Sequence, residues 1–258
     1  MNELRAAFEE YFELVPALTD ELRREAYRLR YEVMSKEFEL PGLESWRYAS
    51  GLESDEYDYR AVNYLLRHRA SSILAGTVRL ILADPLDIHA YPSHLDRSLP
   101  IERLAASFDR NVVDPTSLRR DQIGEVSRLI ISRMFRRRKG EDEFPFGTDR
   151  LITSEHHERR HFPHPVLGLI VALFRISAEY GINYCYAAME PALNRLLQRF
   201  ALDLIPIGPL LEYHGYRQPY FMSVSEVLTN TYQRNRAVWD LITQGGALWP
   251  VPNVSLNR

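Results

Sequence analysis

One stretch narrows the possible folds more than any other: Ile73 to Ala83 is apolar along both alternating faces yet carries Arg79. With side chains alternating every residue, Leu74, Val78, Leu80 and Leu82 share one face, and Ile73, Ala75, Thr77, Arg79 and Ile81 the other. A strand apolar on both faces belongs inside a sheet that is covered on both sides. An arginine in such a strand needs a buried carboxylate or a ligand, because an unpaired buried charge is expensive. The fold must therefore bring partners to Arg79 from elsewhere in the chain.

Two further strings set charges in or beside apolar segments, Asp55-Glu56-Tyr57-Asp58 and Gly124-Glu125-Val126-Ser127-Arg128-Leu129. They read either as a structural ion-pair network or as the polar wall of a ligand cavity, and burial alone leaves both open. In a regular strand Glu125 and Arg128 point to opposite faces, so both reach one cavity only across a bulge.

Around these strings the periodicity predicts helices over 3–14 and 20–35, the second capped by Thr19 and buried through Leu22, Ala26, Leu29 and Val33, with Arg30 at the edge of that stripe. A strand near 60–66 pairs with 73–83 as a hairpin. Residues 84–121 read as loop with short helices, and a strand follows over 123–132. A helix over 165–180 ends at Gly181, and a strand at 182–189 leads to a helix opened by Pro191. Short strands near 203–207 and 219–224 and a C-terminal helix about 225–242 complete the order. The chain, 45% hydrophobic and 26% charged, has the material for a sizeable core, and 258 residues suit one domain spanning 1–258. The expected fold class is α+β, with a mixed, mostly antiparallel sheet flanked by helices.

Several functions are disfavoured. A net charge of −3 gives no overall field for nucleic acid. The longest apolar run, Val166 to Phe174, is far short of the ~20 residues that cross a bilayer, so no transmembrane segment is expected. Met1 to Leu18 lacks the basic-then-apolar order of a secretory signal, which points to the cytoplasm. Cys185 is the single cysteine and reads as core packing between Tyr184 and Tyr186. His157-Glu158-Arg159-Arg160-His161 matches a zinc-hydrolase pattern, but Pro163 and Pro165 curtail its helix and two arginines repel a dication. No metal site and no tightly bound cofactor are expected.

Taken in order, Leu29-Arg30-Tyr31-Glu32-Val33, Asp55 with Asp58, Ala75-Gly76-Thr77-Val78-Arg79-Leu80 and Glu125 with Arg128 resemble the acyl-homoserine-lactone synthases and related N-acyl amino acid synthases of the GNAT superfamily. Tyr11-Phe12-Glu13, Phe135-Arg136-Arg137-Arg138 and the run Glu212-Tyr213-His214-Gly215-Tyr216-Arg217-Gln218-Pro219-Tyr220 extend the likeness to acyltransferases associated with the PEP-CTERM/exosortase system. Met34 stands where the lactone synthases usually carry phenylalanine, and the loop before Asp55 is longer, which points away from S-adenosylmethionine as acceptor.

The resemblance implies a GNAT fold and transfer of a fatty acyl group, from acyl carrier protein or coenzyme A as co-substrate, to the amino group of a small amino acid. Glu125 is then the expected base, Asp55 and Asp58 hold the ammonium, and Arg30, Arg79 and Arg128 hold the acceptor carboxylate. Arg136, Arg137 and Arg138 are the expected docking residues for acyl carrier protein or its phosphopantetheine, against the plainer reading of a solvated charge run. A lactone synthase, a non-catalytic acyl-binding module and a zinc hydrolase remain the alternatives.

Overall fold

The computed structural model describes residues 2–89, 91–114, 117–136 and 164–252. Helix α1 (Glu3–Tyr11) runs directly into strand β1 (Phe12–Pro16), and α2 (Asp20–Arg30) follows. Next come β2 (Ala61–His68), β3 (Leu74–Leu82) and β4 (Ile123–Ile131), then α3 (Pro165–Tyr180), β5 (Tyr184–Met189) and α4 (Pro191–Arg199). Two-residue strands β6 (Ile205–Pro206) and β7 (Leu211–Glu212) precede β8 (Tyr216–Ser223), α5 (Val224–Arg234) and α6 (Arg236–Thr243).

The sheet order is β1-β2-β3-β4-β5-β8-β6, with β7 paired to β8. Every pairing is antiparallel except β4 with β5. The sheet is therefore mixed and mostly antiparallel, and β3 is an interior strand, as its two apolar faces require. Val78, Leu80 and Leu82 pack on one side with α3, while Ile81 packs on the other with Leu99, Ile101 and Phe108. Helix α3 is apolar all round from Pro165 to Phe174 because that part sits between the sheet and α6. The opposite face is covered by α2, which packs on β2 and β3, and by the connection between β3 and β4, whose 3-10 turn Pro100–Ser107 lies over β5.

Four local expectations change. The first helix stops at Tyr11 because Phe12–Pro16 pairs with β2 as an edge strand, where a terminal proline leaves no ladder bond unmade. The second stops at Arg30 and widens into π-helical turns over Tyr31–Glu37, a form that recurs at functional sites. The last helix breaks at Asn235, whose side chain accepts from the Val238 N–H and caps α6. Strand β7 carries too little pattern to be foreseen. Thr19 and Gly181 cap as expected, Gly181 with a φ of 68°. No helix among the described residues is long and apolar enough to cross a membrane.

Candidate active site

Strand β4 supplies the irregularity on which the site is built. Thr77 pairs with Ile130, but Arg79 pairs with Ser127, so Arg128 and Leu129 together oppose Val78 alone. Arg128 absorbs the extra residue with a φ of 53°, a left-handed conformation that L side chains adopt at a cost of about 1–2 kcal/mol. The bulge brings Glu125 and Arg128 to the same cavity, of about 440 Å³.

Strand β5 supplies the opening. Its parallel pairing with β4 runs from Ile123 opposite Tyr184 to Val126 opposite Ala187, and no further. Beyond that point the strands part, and the cavity passes through the sheet between them: Glu125 and Tyr186 line it on one face, Ile170, Leu173 and Phe174 of α3 on the other. One arm is polar, walled by Asp55, Tyr57, Arg79, Arg128 and Tyr213; the other is apolar, walled by Phe174, Leu193, Leu197, Leu202 and Met222. Two loops meet across the polar arm, where His214 Nδ1 donates to the Pro41 carbonyl at 2.7 Å. Gly42 beside it has a φ of 80°, and a Cβ there would fall 2.9 Å from the His214 ring, so only glycine fits.

Behind the polar wall, three arginines and three carboxylates alternate in a closed ring. Arg30 makes paired bonds to Asp58 at 2.9 and 3.0 Å, and Arg79 reaches Asp58 at 3.1 Å and Asp55 at 2.6 Å. Arg128 bonds Asp55 at 3.1 Å and Glu53 at 2.8 Å, and Glu53 closes the ring on Arg30 Nε. The Asp-x-x-Asp spacing has a local cause: Asp55 and Asp58 form a reciprocal capping box on the 3-10 turn Glu56–Arg60. Burial pushes Glu53 and Asp58 upward in pKa, but the arginines beside each outweigh it and hold both well below the usual carboxylate range. The ring is electrically balanced and fixes the floor of the polar arm.

Glu125 stands apart from the ring and is 3% exposed. Its Oε2 accepts from the Ile101 N–H at 2.8 Å, and among the described residues Oε1 has no hydrogen bond. Burial raises its pKa to about 8, against the opposing Ile101 N–H and Arg79. Such a carboxyl can give or take a proton near neutral pH. Burial, and then the nearby Glu125, push the Tyr213 phenol up to about 12. Cys185 also faces the cavity, but burial raises its thiol to about 12, so it stays protonated.

Of the residues singled out from sequence, Asp55, Arg79, Glu125 and Arg128 line the cavity. Arg30 and Asp58 do not: both are committed to the ring behind it, Arg30 with no exposed surface. None of the three ring arginines is free to grip an acceptor carboxylate without releasing one of its own. Arg136 also departs from expectation, since it is buried against the Phe38 ring and paired with Glu37 instead of standing on the surface for docking. Arg137 and Arg138 lie outside the described residues, as does the His157–His161 pattern. Glu53 was missed: it sits in an unpatterned loop, and the only hint in the sequence was three arginines set against two aspartates. The Arg217–Glu190 pair at 2.6 Å, also on the cavity, gave no signal either.

Residues 29–144 match the acetyltransferase (GNAT) domain family. No curated protein matches the sequence. Among solved structures, FeeM, an N-acyl amino acid synthase from uncultured soil microbes, superposes with a TM-score of 0.52 at 14% identity, over 86% of this chain and 96% of its own. The CoA-dependent acyl-homoserine lactone synthase BjaI with MTA gives 0.54 at 16% identity, over 91% and 88%. TofI, in a ternary complex with an inhibitor and MTA, gives 0.55 at 16%, over 90% and 97%. A GNAT domain match thus occupies residues 29–144, and the described chain as a whole has the α+β fold of the GNAT acyltransferases.

Proposed function

We propose that the chain is an N-acyltransferase that moves a fatty acyl group from a thioester of acyl carrier protein or coenzyme A to the amino group of an amino acid in the cytoplasm. One observation carries this reading. Glu125, with one oxygen unbonded, stands where the polar arm meets the apolar arm, at the parting of β4 and β5. The apolar lining suits an acyl chain, and a chain lying there would have its thioester carbonyl near Glu125.

An amine attacks only when neutral, and α-amino groups titrate at about 7.7–8.0. A base with a pKa of about 8 is matched to that proton. Glu125 Oε1 takes the ammonium proton, the nitrogen lone pair adds to the carbonyl carbon, and the C–S bond then breaks as the second nitrogen proton passes to the departing sulfur, which leaves as the thiol. Arg128 and Leu129 lie in the bulge, beyond the pairing with β5, and a backbone N–H there would serve the transient oxyanion. Transfer is direct, because the Cys185 thiol is held protonated. The sequence likeness to PEP-CTERM/exosortase-associated acyltransferases favours an amino acid over S-adenosylmethionine, and Met34 on the cavity wall agrees with it.

Mass spectrometry of lipids from cells expressing the chain tests the reading. An N-acyl amino acid is expected with the wild-type chain and not with Glu125→Gln, and kcat of the purified protein should rise through about pH 8. Equal product from both chains would remove Glu125 as the base, and an acyl-homoserine lactone would move the chain to the lactone synthases.

A further inference from the structure

Five arginines among the described residues line the cavity, Arg47, Arg79, Arg103, Arg128 and Arg217, and four of them are already matched. Arg79 and Arg128 belong to the ring. Arg217 Nη1 lies 2.6 Å from Glu190, and Arg47 Nε lies 2.7 Å from Glu44. Arg103 differs. Its nearest carboxylate, Glu56, is 3.7 Å away, beyond hydrogen-bond reach, and its side chain is 64% exposed. The guanidinium stands 5.8 Å from the centre of the Tyr57 ring.

Its position is set by the base. Arg103 lies on the 3-10 turn Pro100–Ser107, two residues after Ile101, whose N–H donates to Glu125 Oε2. Arg103 and Glu125 also act electrostatically on the same two phenols, Tyr57 and Tyr213. One short turn therefore orients the base and presents at the same cavity a guanidinium with no hydrogen-bonded carboxylate.

An α-amino acid carries its amine and its carboxylate on a single carbon, so a site that deprotonates the amine needs a cation for the carboxylate close by. A planar guanidinium fork suits that group. We infer that Arg103 binds the carboxylate of the acceptor, which is accordingly an α-amino acid with a free carboxyl group and not an amine lacking one. The inference rests on the acyl-transfer reading above.

The purified full-length chain is given tetradecanoyl thioesters of coenzyme A and of acyl carrier protein, with each common amino acid and with the matching amino acid amides, and products are read by mass spectrometry. The wild-type chain should prefer acids over amides at least tenfold in kcat/KM. Arg103→Gln should reduce that preference to near one by raising KM for the acid alone, with the donor KM unchanged, and Arg103→Lys should keep an intermediate preference. Because Arg103 is exposed, the melting temperature of each variant should match the wild type and separates folding from binding. A tenfold preference surviving in Arg103→Gln, or absent from the wild-type chain, overturns the assignment and leaves acyl transfer standing. Acylation of no amine from either donor overturns the acyl-transfer reading, and the assignment with it.

Discussion

At the scale of single residues, Glu53 decides how the charges of this protein are arranged. It has no exposed surface and bridges Arg30 to Arg128, so removing its charge leaves the buried ring one positive charge in excess. Breaking a buried pair in this way costs on the order of 3 kcal/mol, because the surviving charge loses its partner while still out of water. Glu53→Gln is therefore expected to lower the urea midpoint by that equivalent, and a loss under about 1 kcal/mol would show that the ring does not depend on it. The sequence made the three arginines and two aspartates visible as charges among apolar neighbours. It could not show Glu53, since a loop residue has no period to mark which way it points.

At the scale of elements, the bulge in β4 and its parting from β5 are the two events that make a cavity out of a sheet. The bulge was required by the spacing of Glu125 and Arg128, and Arg128 with its positive φ supplies it. The parting had no sequence signal, because Ala187 to Met189 read as a continuing strand. The apolar arm that opens there is bounded by Leu193 and Leu197 of α4. Leu193→Trp should fill part of that arm and shift the products towards shorter acyl chains, read as the distribution of N-acyl lengths. An unchanged distribution would place the acyl chain elsewhere. The π-helical turns over Tyr31–Glu37 and the break at Asn235 were likewise invisible, since an apolar stripe continues through both.

At the scale of the whole molecule, two sets of carboxylates pull stability in opposite directions with pH. Glu125 ordinarily titrates at 4.5 and inside the fold at about 8, so between those values the folded state keeps a proton that the unfolded chain has lost. Its stabilisation is present below 4.5 and is lost as pH rises through 8. Glu53 and Asp58, held low by their arginines, contribute stability above the ordinary carboxylate range and lose it as pH falls. Glu125→Gln should therefore gain stability over the wild type between pH 5 and 9 while keeping the same acid limb. Parallel profiles would mean that Glu125 is not buried as an acid. What the sequence determined alone was the strand and helix inventory near the site, the interior place of β3 and the set of charges that had to meet, because periodicity and the cost of buried charge are local constraints. Which carboxylate each arginine took, that Arg30 and Asp58 sit behind the cavity and Arg103 on it, and that Arg136 is buried were decided only by the tertiary structure. Pairing depends on distances between segments far apart in the chain, and nothing in a single sequence records those.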